Sequence, residues 1–88
     1  MYKILLIEDN EFIIKGIVYL LKQHNFDVDV VSTLNDAKKH LENNYNLIIL
    51  DLMLPDGDGV DFYKNNLTNK PTLVLTAKDD EDVISDAL

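Results

Sequence analysis

The chain has 88 residues, a hydrophobic fraction of 47% and a formal net charge of −8. That bounds it at one domain and excludes a disordered acidic tail, which would be much poorer in Leu, Ile and Val. Cysteine and arginine are absent and eight lysines stand against sixteen acids, which excludes disulfides and thiolate metal sites and speaks against a nucleic-acid-binding surface.

The opening segment Met1-Tyr2-Lys3-Ile4 runs directly into a strand-like stretch, without an apolar signal region or a small-residue cleavage site. No apolar run approaches the ~20 residues that span a bilayer. A cytoplasmic chain with no membrane contact is expected.

In chain order, Lys3–Ile7 is a short run of β-branched residues and Leu after the opening lysine, consistent with a strand covered on both faces. Ile14, Ile17, Val18 and Leu21 repeat at helical spacing and predict a helix over Glu11–His24, with Asn10 placed to cap it. Val28–Val31 predicts a second strand. Leu34, Ala37 and Leu41 predict a second helix, with Thr33 at its cap. Leu47–Leu50 is the third strand. Val60–Asn66 is a short helix that follows a turn rich in Asp and Gly. Thr72–Leu75 is a fourth strand entered through Pro71, and Asp79–Leu88 begins a fourth helix with acids crowded into its first turn. Strands alternating with single helices run parallel through right-handed crossovers, so the expected fold is α/β, an open parallel sheet with helices on both faces.

Three of the apolar strands end in polar residues. The first ends in Glu8-Asp9, the third in Asp51 and the fourth in Thr76. In a parallel sheet these ends share one edge, and ligands of open α/β sheets bind outside the carboxyl ends of the strands. One acid at a strand end is ordinarily a helix cap or a turn brace, a role open to both Asp9 and Asp51; three strands ending this way point to a site. Carboxylates gathered there repel one another, so one takes up a proton or a cation enters. Oxygen ligands without His or Cys suit Mg²⁺, and a carboxylate beside Mg²⁺ can act as a nucleophile toward a phosphoryl group.

The Glu8-Asp9 pair, the run Asp51-Leu52-Met53-Leu54-Pro55-Asp56-Gly57-Asp58-Gly59 and the Thr76-Ala77 pair, in this order on strand ends, resemble the receiver domain of bacterial two-component response regulators. The Asp-Leu-Met-Leu-Pro and Leu-Thr-Ala-Lys-Asp-Asp stretches resemble the OmpR/PhoB type, in which a DNA-binding domain follows the receiver. The resemblance covers residues 1–88 as one receiver domain and implies a flavodoxin-like (CheY-like) sheet with strands in the order 2-1-3-4. It implies that Asp51 accepts a phosphoryl group from a sensor histidine kinase, and that Glu8, Asp9, Asp51 and the carbonyl of Met53 hold Mg²⁺. Thr76 would hydrogen-bond the phosphoryl group and move inward as the switch, with small Ala77 letting the backbone approach. The chain would assist its own phosphotransfer without being an enzyme in the ordinary sense, and its output would be transcription.

The family pattern continues into a fifth strand, whose end carries a Lys, and a fifth helix. The sequence through Leu88 contains neither, and Lys78 is expected at the surface rather than in the place of that Lys. Thr72–Leu75 is then expected as an apolar sheet edge, open to self-association by edge pairing or segment exchange. Two alternatives stay open: a receiver fragment impaired in phosphorylation that acts through self-association or partner binding, and a Mg²⁺-dependent phosphatase of the haloacid-dehalogenase type. The latter needs a second Asp where Met53 stands. His24 and His40 are expected at helix C-termini and Asp56 and Asp58 in a turn. Phe12 and Tyr19 fall off the apolar face of the first helix, where one of them could touch a partner.

Overall fold

A computed structural model of the chain describes residues 2–75. Its elements are β1 (Lys3–Ile7), α1 (Glu11–Gln23), β2 (Asp27–Val31), α2 (Leu34–His40), β3 (Leu47–Asp51), α3 (Gly59–Asn66) and β4 (Thr72–Leu75). All four strands are parallel and lie in the order β2-β1-β3-β4, the expected fold and order. The expected helix over Asp79–Leu88 and the residues Thr76, Ala77 and Lys78 lie outside the described residues.

The apolar strands divide their side chains by the two-residue period of the pleat. Leu5, Ile7, Ile48 and Leu50 point to one side, where they meet Val31, Leu34, Ala37, Leu54, Phe62 and Leu67. Ile4, Leu6 and Ile49 point to the other, against Ile14, Ile17, Val18 and Leu21 of α1. Both faces of β1 and β3 are covered, and Ile4–Ile7 and Leu47–Leu50 are accordingly apolar throughout, Lys3 standing at the open start of β1.

Each helix starts where a side chain satisfies its free N–H groups. Asn10 Oδ1 accepts from Phe12 and Ile13 at 2.9 and 3.2 Å. Thr33 Oγ1 accepts from Asp36 at 3.1 Å, and Asp58 Oδ1 from Val60 at 2.8 Å. The cap of α1 is therefore Asn10 rather than Asp9, which leaves the Asp9 carboxylate for other work. Helix α1 ends with Asn25 in the left-handed region (φ 63°). There Phe26 N–H returns to Leu21 O and Asn25 N–H to Lys22 O, which turns the chain into β2.

Strand β2 begins at Asp27, one residue before its apolar run, because Asp27 N–H donates to Tyr2 O at 2.9 Å and Asp27 pairs with Lys3. The start of β3 is fixed by Asn46, whose side-chain oxygen accepts from Lys3 N–H and whose own N–H donates to Lys3 O, both at 2.7 Å. Next to it, Tyr45 O–H donates to Asp29 Oδ2 at 2.7 Å. Burial, followed by the Asp29 carboxylate, pushes the Tyr45 hydroxyl up to about 12. These contacts close the amino edge of the sheet and leave the carboxyl edge to the loops that carry the acids. Among the described residues, no helix is long and apolar enough to cross a membrane.

Candidate functional site

Strand β1 ends by placing Glu8 almost completely out of solvent, and β3 ends the same way with Asp51; these two are the buried charged residues among those described. A carboxylate is costly to bury without partners, and both have them. Glu8 Oε2 accepts the N–H groups of Asp9 and Asn10 at 2.9 and 3.1 Å. Asp51 Oδ1 accepts the N–H of Met53 at 3.0 Å. Asp51 thus braces the turn after β3 and takes its place in the site at once. Asp9 stands exposed beside the two buried acids.

One carboxylate oxygen from each of Glu8, Asp9 and Asp51 lies within 4.8 Å of the others. Burial is the chief force raising the Glu8 carboxyl to about 7, and the neighbouring Asp51 charge raises it further; the N–H groups of Asn10 and Asp9 pull the other way. Glu8 therefore keeps its proton to a higher pH than a free carboxyl does. Three oxygen ligands at this separation, with no nitrogen or sulfur among them, match the preference of a small hard divalent cation that keeps part of its water shell.

The loop from Leu52 to Asp58 covers one flank of the cluster. Its neck is closed by Gly59 N–H donating to Leu52 O at 3.3 Å. A Cβ on Gly59 would sit 2.6 Å from Leu52 Cα, so only glycine allows the loop to close here. Leu54 is buried, while the Met53 side chain is half exposed and only its backbone faces the Asp51 carboxylate.

Of the residues singled out from the sequence, the structure gathers Glu8, Asp9, Asp51 and Met53. Thr76 and Ala77 lie outside the described residues. His24 caps the C-terminus of α1, and His40 places Nδ1 2.9 Å from Asp36 O in α2. Both histidines sit at helix ends that lead into strand starts, away from the acids. Asp58 is the cap of α3. Asp56 lies in the turn expected for it, and its carboxylate also reaches across to α2: Oδ1 accepts Leu34 N–H at 2.9 Å and Oδ2 accepts Asn35 N–H at 3.1 Å. No local pattern signals a contact between residues 21 and 22 positions apart.

The geometry agrees with comparisons to known proteins. Residues 4–88 match the family model of the response regulator receiver domain. The transcriptional regulatory protein BasR of Escherichia coli is 37% identical over 81 residues, covering 88% of this chain and 36% of that protein. The alkaline phosphatase synthesis transcriptional regulatory protein PhoP of Bacillus subtilis is 40% identical over 83 residues, covering 90% of this chain and 35% of that protein. The chain thus spans about a third of the length of these curated relatives. Among solved structures, the BeF3-activated N-terminal receiver domain of Klebsiella pneumoniae RstA superposes with a TM-score of 0.82 at 27% identity, over 92% of this chain and 72% of that one. A parallel sheet in the order 2-1-3-4, acids at the ends of its first and third strands, and a family match along nearly the whole sequence converge: this chain belongs to the response regulator receiver domain family.

Proposed function

We propose that the chain is a phosphoacceptor switch, with Asp51 receiving a phosphoryl group from a sensor histidine kinase. The observation that carries this reading is the placement of Asp51: buried at the end of β3, with oxygens of Glu8 and Asp9 within 4.8 Å. The donor set fits Mg²⁺, with Glu8, Asp9, Asp51 and the Met53 carbonyl as the residues that would hold it. When bound, the metal supplies positive charge against the oxygens of the transferring group. The protein's own part is positional. Met53 N–H fixes one oxygen of Asp51, and a carboxylate oxygen of Asp51 attacks phosphorus as the bond to the leaving group breaks. Burial first, and the Asp51 charge after it, hold the Glu8 proton, and positive charge beside the carboxyl would favour its release.

The wider roles belong to the same proposal. Residues 1–88 act as the receiver domain of a longer cytoplasmic regulator whose output is transcription. Thr76 and Ala77 complete the phosphoryl pocket. The chain assists its own phosphorylation and dephosphorylation rather than turning over a separate substrate. Self-association runs along β4, whose Leu73 is exposed and which pairs with β3 among the described strands. What supports a phosphoryl ligand is the acid geometry together with a structural neighbour described as BeF3-activated.

The test is intact mass after incubation with Mg²⁺ and acetyl phosphate, for the chain and for Asp51→Asn. The expected result is a gain of one phosphoryl group that chelation of Mg²⁺ and the Asn variant both abolish. A gain that persists in Asp51→Asn would move the acceptor elsewhere.

A further inference from the structure

The connection between β2 and α2 supplies no acid to the cluster, yet both loops that do are tied to it. Glu8 N–H donates to Val31 O, at the end of β2, at 3.0 Å. On the other side, Asp56 reaches the first turn of α2 with both carboxylate oxygens, one to Leu34 N–H and one to Asn35 N–H. These N–H groups have no acceptor within their own helix. The two bonds hold the Asp56 carboxyl below the usual carboxylate range, so the clasp keeps its negative charge at neutral pH. The tip of the loop lies flat on α2: a Cβ on Gly57 would come within 3.0 Å of Leu34 Cδ1.

The stretch between Asp51 and Asp56 is held at its root by Leu52, whose N–H donates to Leu75 O at 3.1 Å and whose carbonyl accepts from Gly59. Leu54 anchors it in the core. The exposed tip at Pro55–Gly57 has one attachment in the hydrogen bonds described, the Asp56 carboxylate. Met53 stands between root and tip, with its backbone on Asp51.

We infer that Asp56 is a positioning residue for the Asp51 site, clasping the first turn of α2 so that the β3–α3 loop presents the Met53 backbone to the cation. The inference rests on reading the site as a Mg²⁺-dependent phosphoacceptor. Asp56 touches neither the cluster nor the cation; it acts through the loop.

The experiment is a calorimetric titration of Mg²⁺ into the full chain and into Asp56→Ala, Asp56→Asn and Thr33→Ala, each checked for helix content by circular dichroism. Thr33→Ala removes the cap bond to Asp36 N–H and weakens α2 without touching the loop. Asp56→Ala is expected to raise the Mg²⁺ dissociation constant by about 10-fold, the lower end of what is lost when a group orienting a metal ligand is removed. Asp56→Asn keeps one acceptor oxygen and is expected to fall between Ala and the parent. Thr33→Ala is expected to lower the melting temperature and leave the dissociation constant in place. With acetyl phosphate, the Mg²⁺ concentration for half-maximal phosphorylation should rise in parallel, and excess Mg²⁺ should restore the rate.

Unchanged Mg²⁺ affinity in both Asp56 variants would overturn the inference, as would an equal loss in Thr33→Ala, which would make the effect one of α2 stability alone. Asp51→Asn separates the two levels. If it binds Mg²⁺ and takes up phosphate as the parent does, the site reading itself fails. If it loses both while the Asp56 variants behave as the parent, only the clasp fails.

Discussion

On the α2–α3 side of the sheet, the helix residues Leu34, Ala37 and Phe62 are buried together with the strand residues they meet. On the α1 side, burial stops at the strands: Ile4, Leu6 and Ile49 are buried, while Ile14, Ile17, Val18 and Leu21 of α1 are covered only in part, and no residue of α1 is buried. The acidic site straddles this difference. Asp51 leads into the loop that plugs the tightly packed side through Leu54, whereas Glu8 and Asp9 lead into the loosely packed helix. The Asp51 half of the site is thus backed by the more deeply buried helices, and the Glu8–Asp9 half by the helix that is only partly covered.

Truncating one side chain on each face gives the largest effects and the sharpest contrast. Leu50→Ala, at 0% exposure in the tight cluster, should cost about 3–4 kcal/mol by urea denaturation, within the usual range for a buried Leu. Ile17→Ala should cost about 1–2 kcal/mol, because part of its surface already meets water. Equal costs would show that the two faces are packed alike.

Metal binding probes the seam between the faces. Glu8 has a pKa of about 7 in the folded chain against 4.5 ordinarily. Between those values the folded chain holds a proton that the unfolded chain has released, so this group's contribution to stability falls as pH rises from 4.5 to 7 and stays at its minimum above. A cation at the site competes with that proton. Mg²⁺ at ten times its dissociation constant should stabilise the chain by about 1.4 kcal/mol at pH 8 and clearly less at pH 5.5, read as the shift in melting temperature. Glu8→Gln should flatten the pH dependence. A larger Mg²⁺ effect at the lower pH would contradict the Glu8 assignment.

The amino edge should respond more weakly. Tyr45→Phe removes the bond to Asp29 Oδ2 and should cost about 1 kcal/mol near neutral pH. Because the folded Tyr45 hydroxyl is raised from 10 to about 12, this contribution is present below pH 10 and fades between pH 10 and 12. The Phe variant should therefore approach the parent in stability at the upper end of that range, and a constant gap would place the stabilisation in the ring rather than the hydroxyl. Mg²⁺ affinity at the opposite edge should not change.

Much of this molecule was legible in the sequence where a residue's own neighbours decide its state. The runs Ile4–Ile7 and Leu47–Leu50 announce strands covered on both faces, and the polar residues that end them announce the edge where the acids meet. Local pattern alone did not settle strand order, which came through the family resemblance. The spacing of Ile14, Ile17, Val18 and Leu21 named the inner face of α1 but carried no information on how much would cover it, since burial depends on what packs alongside. Asp27 joins β2 through a backbone bond to Tyr2, which a search for apolar runs passes over. Asp56 reads as one more turn residue because its partners lie on another helix, and the proton on Glu8 depends on burial by the assembled fold and on Asp51, an acid more than forty positions away in the chain.

The smallest predicted effect has the opposite sign and bears on the outer face of α1. Gly16 stands in the middle of that helix, and a Cβ there would meet nothing within 4 Å. Glycine in a helix interior costs about 0.5–1 kcal/mol relative to alanine, so Gly16→Ala should raise stability by that amount if only the isolated chain matters. Phe12 is 87% exposed and Tyr19 63%, and at four and three residues from Gly16 they share its face of the helix. If a partner packs against that face, Gly16→Ala should stabilise the chain while slowing phosphotransfer from a kinase, with phosphorylation by acetyl phosphate unaffected. Gain of stability with unchanged kinase transfer would leave Phe12 and Tyr19 as residues exposed only because α1 has its apolar face turned toward the sheet.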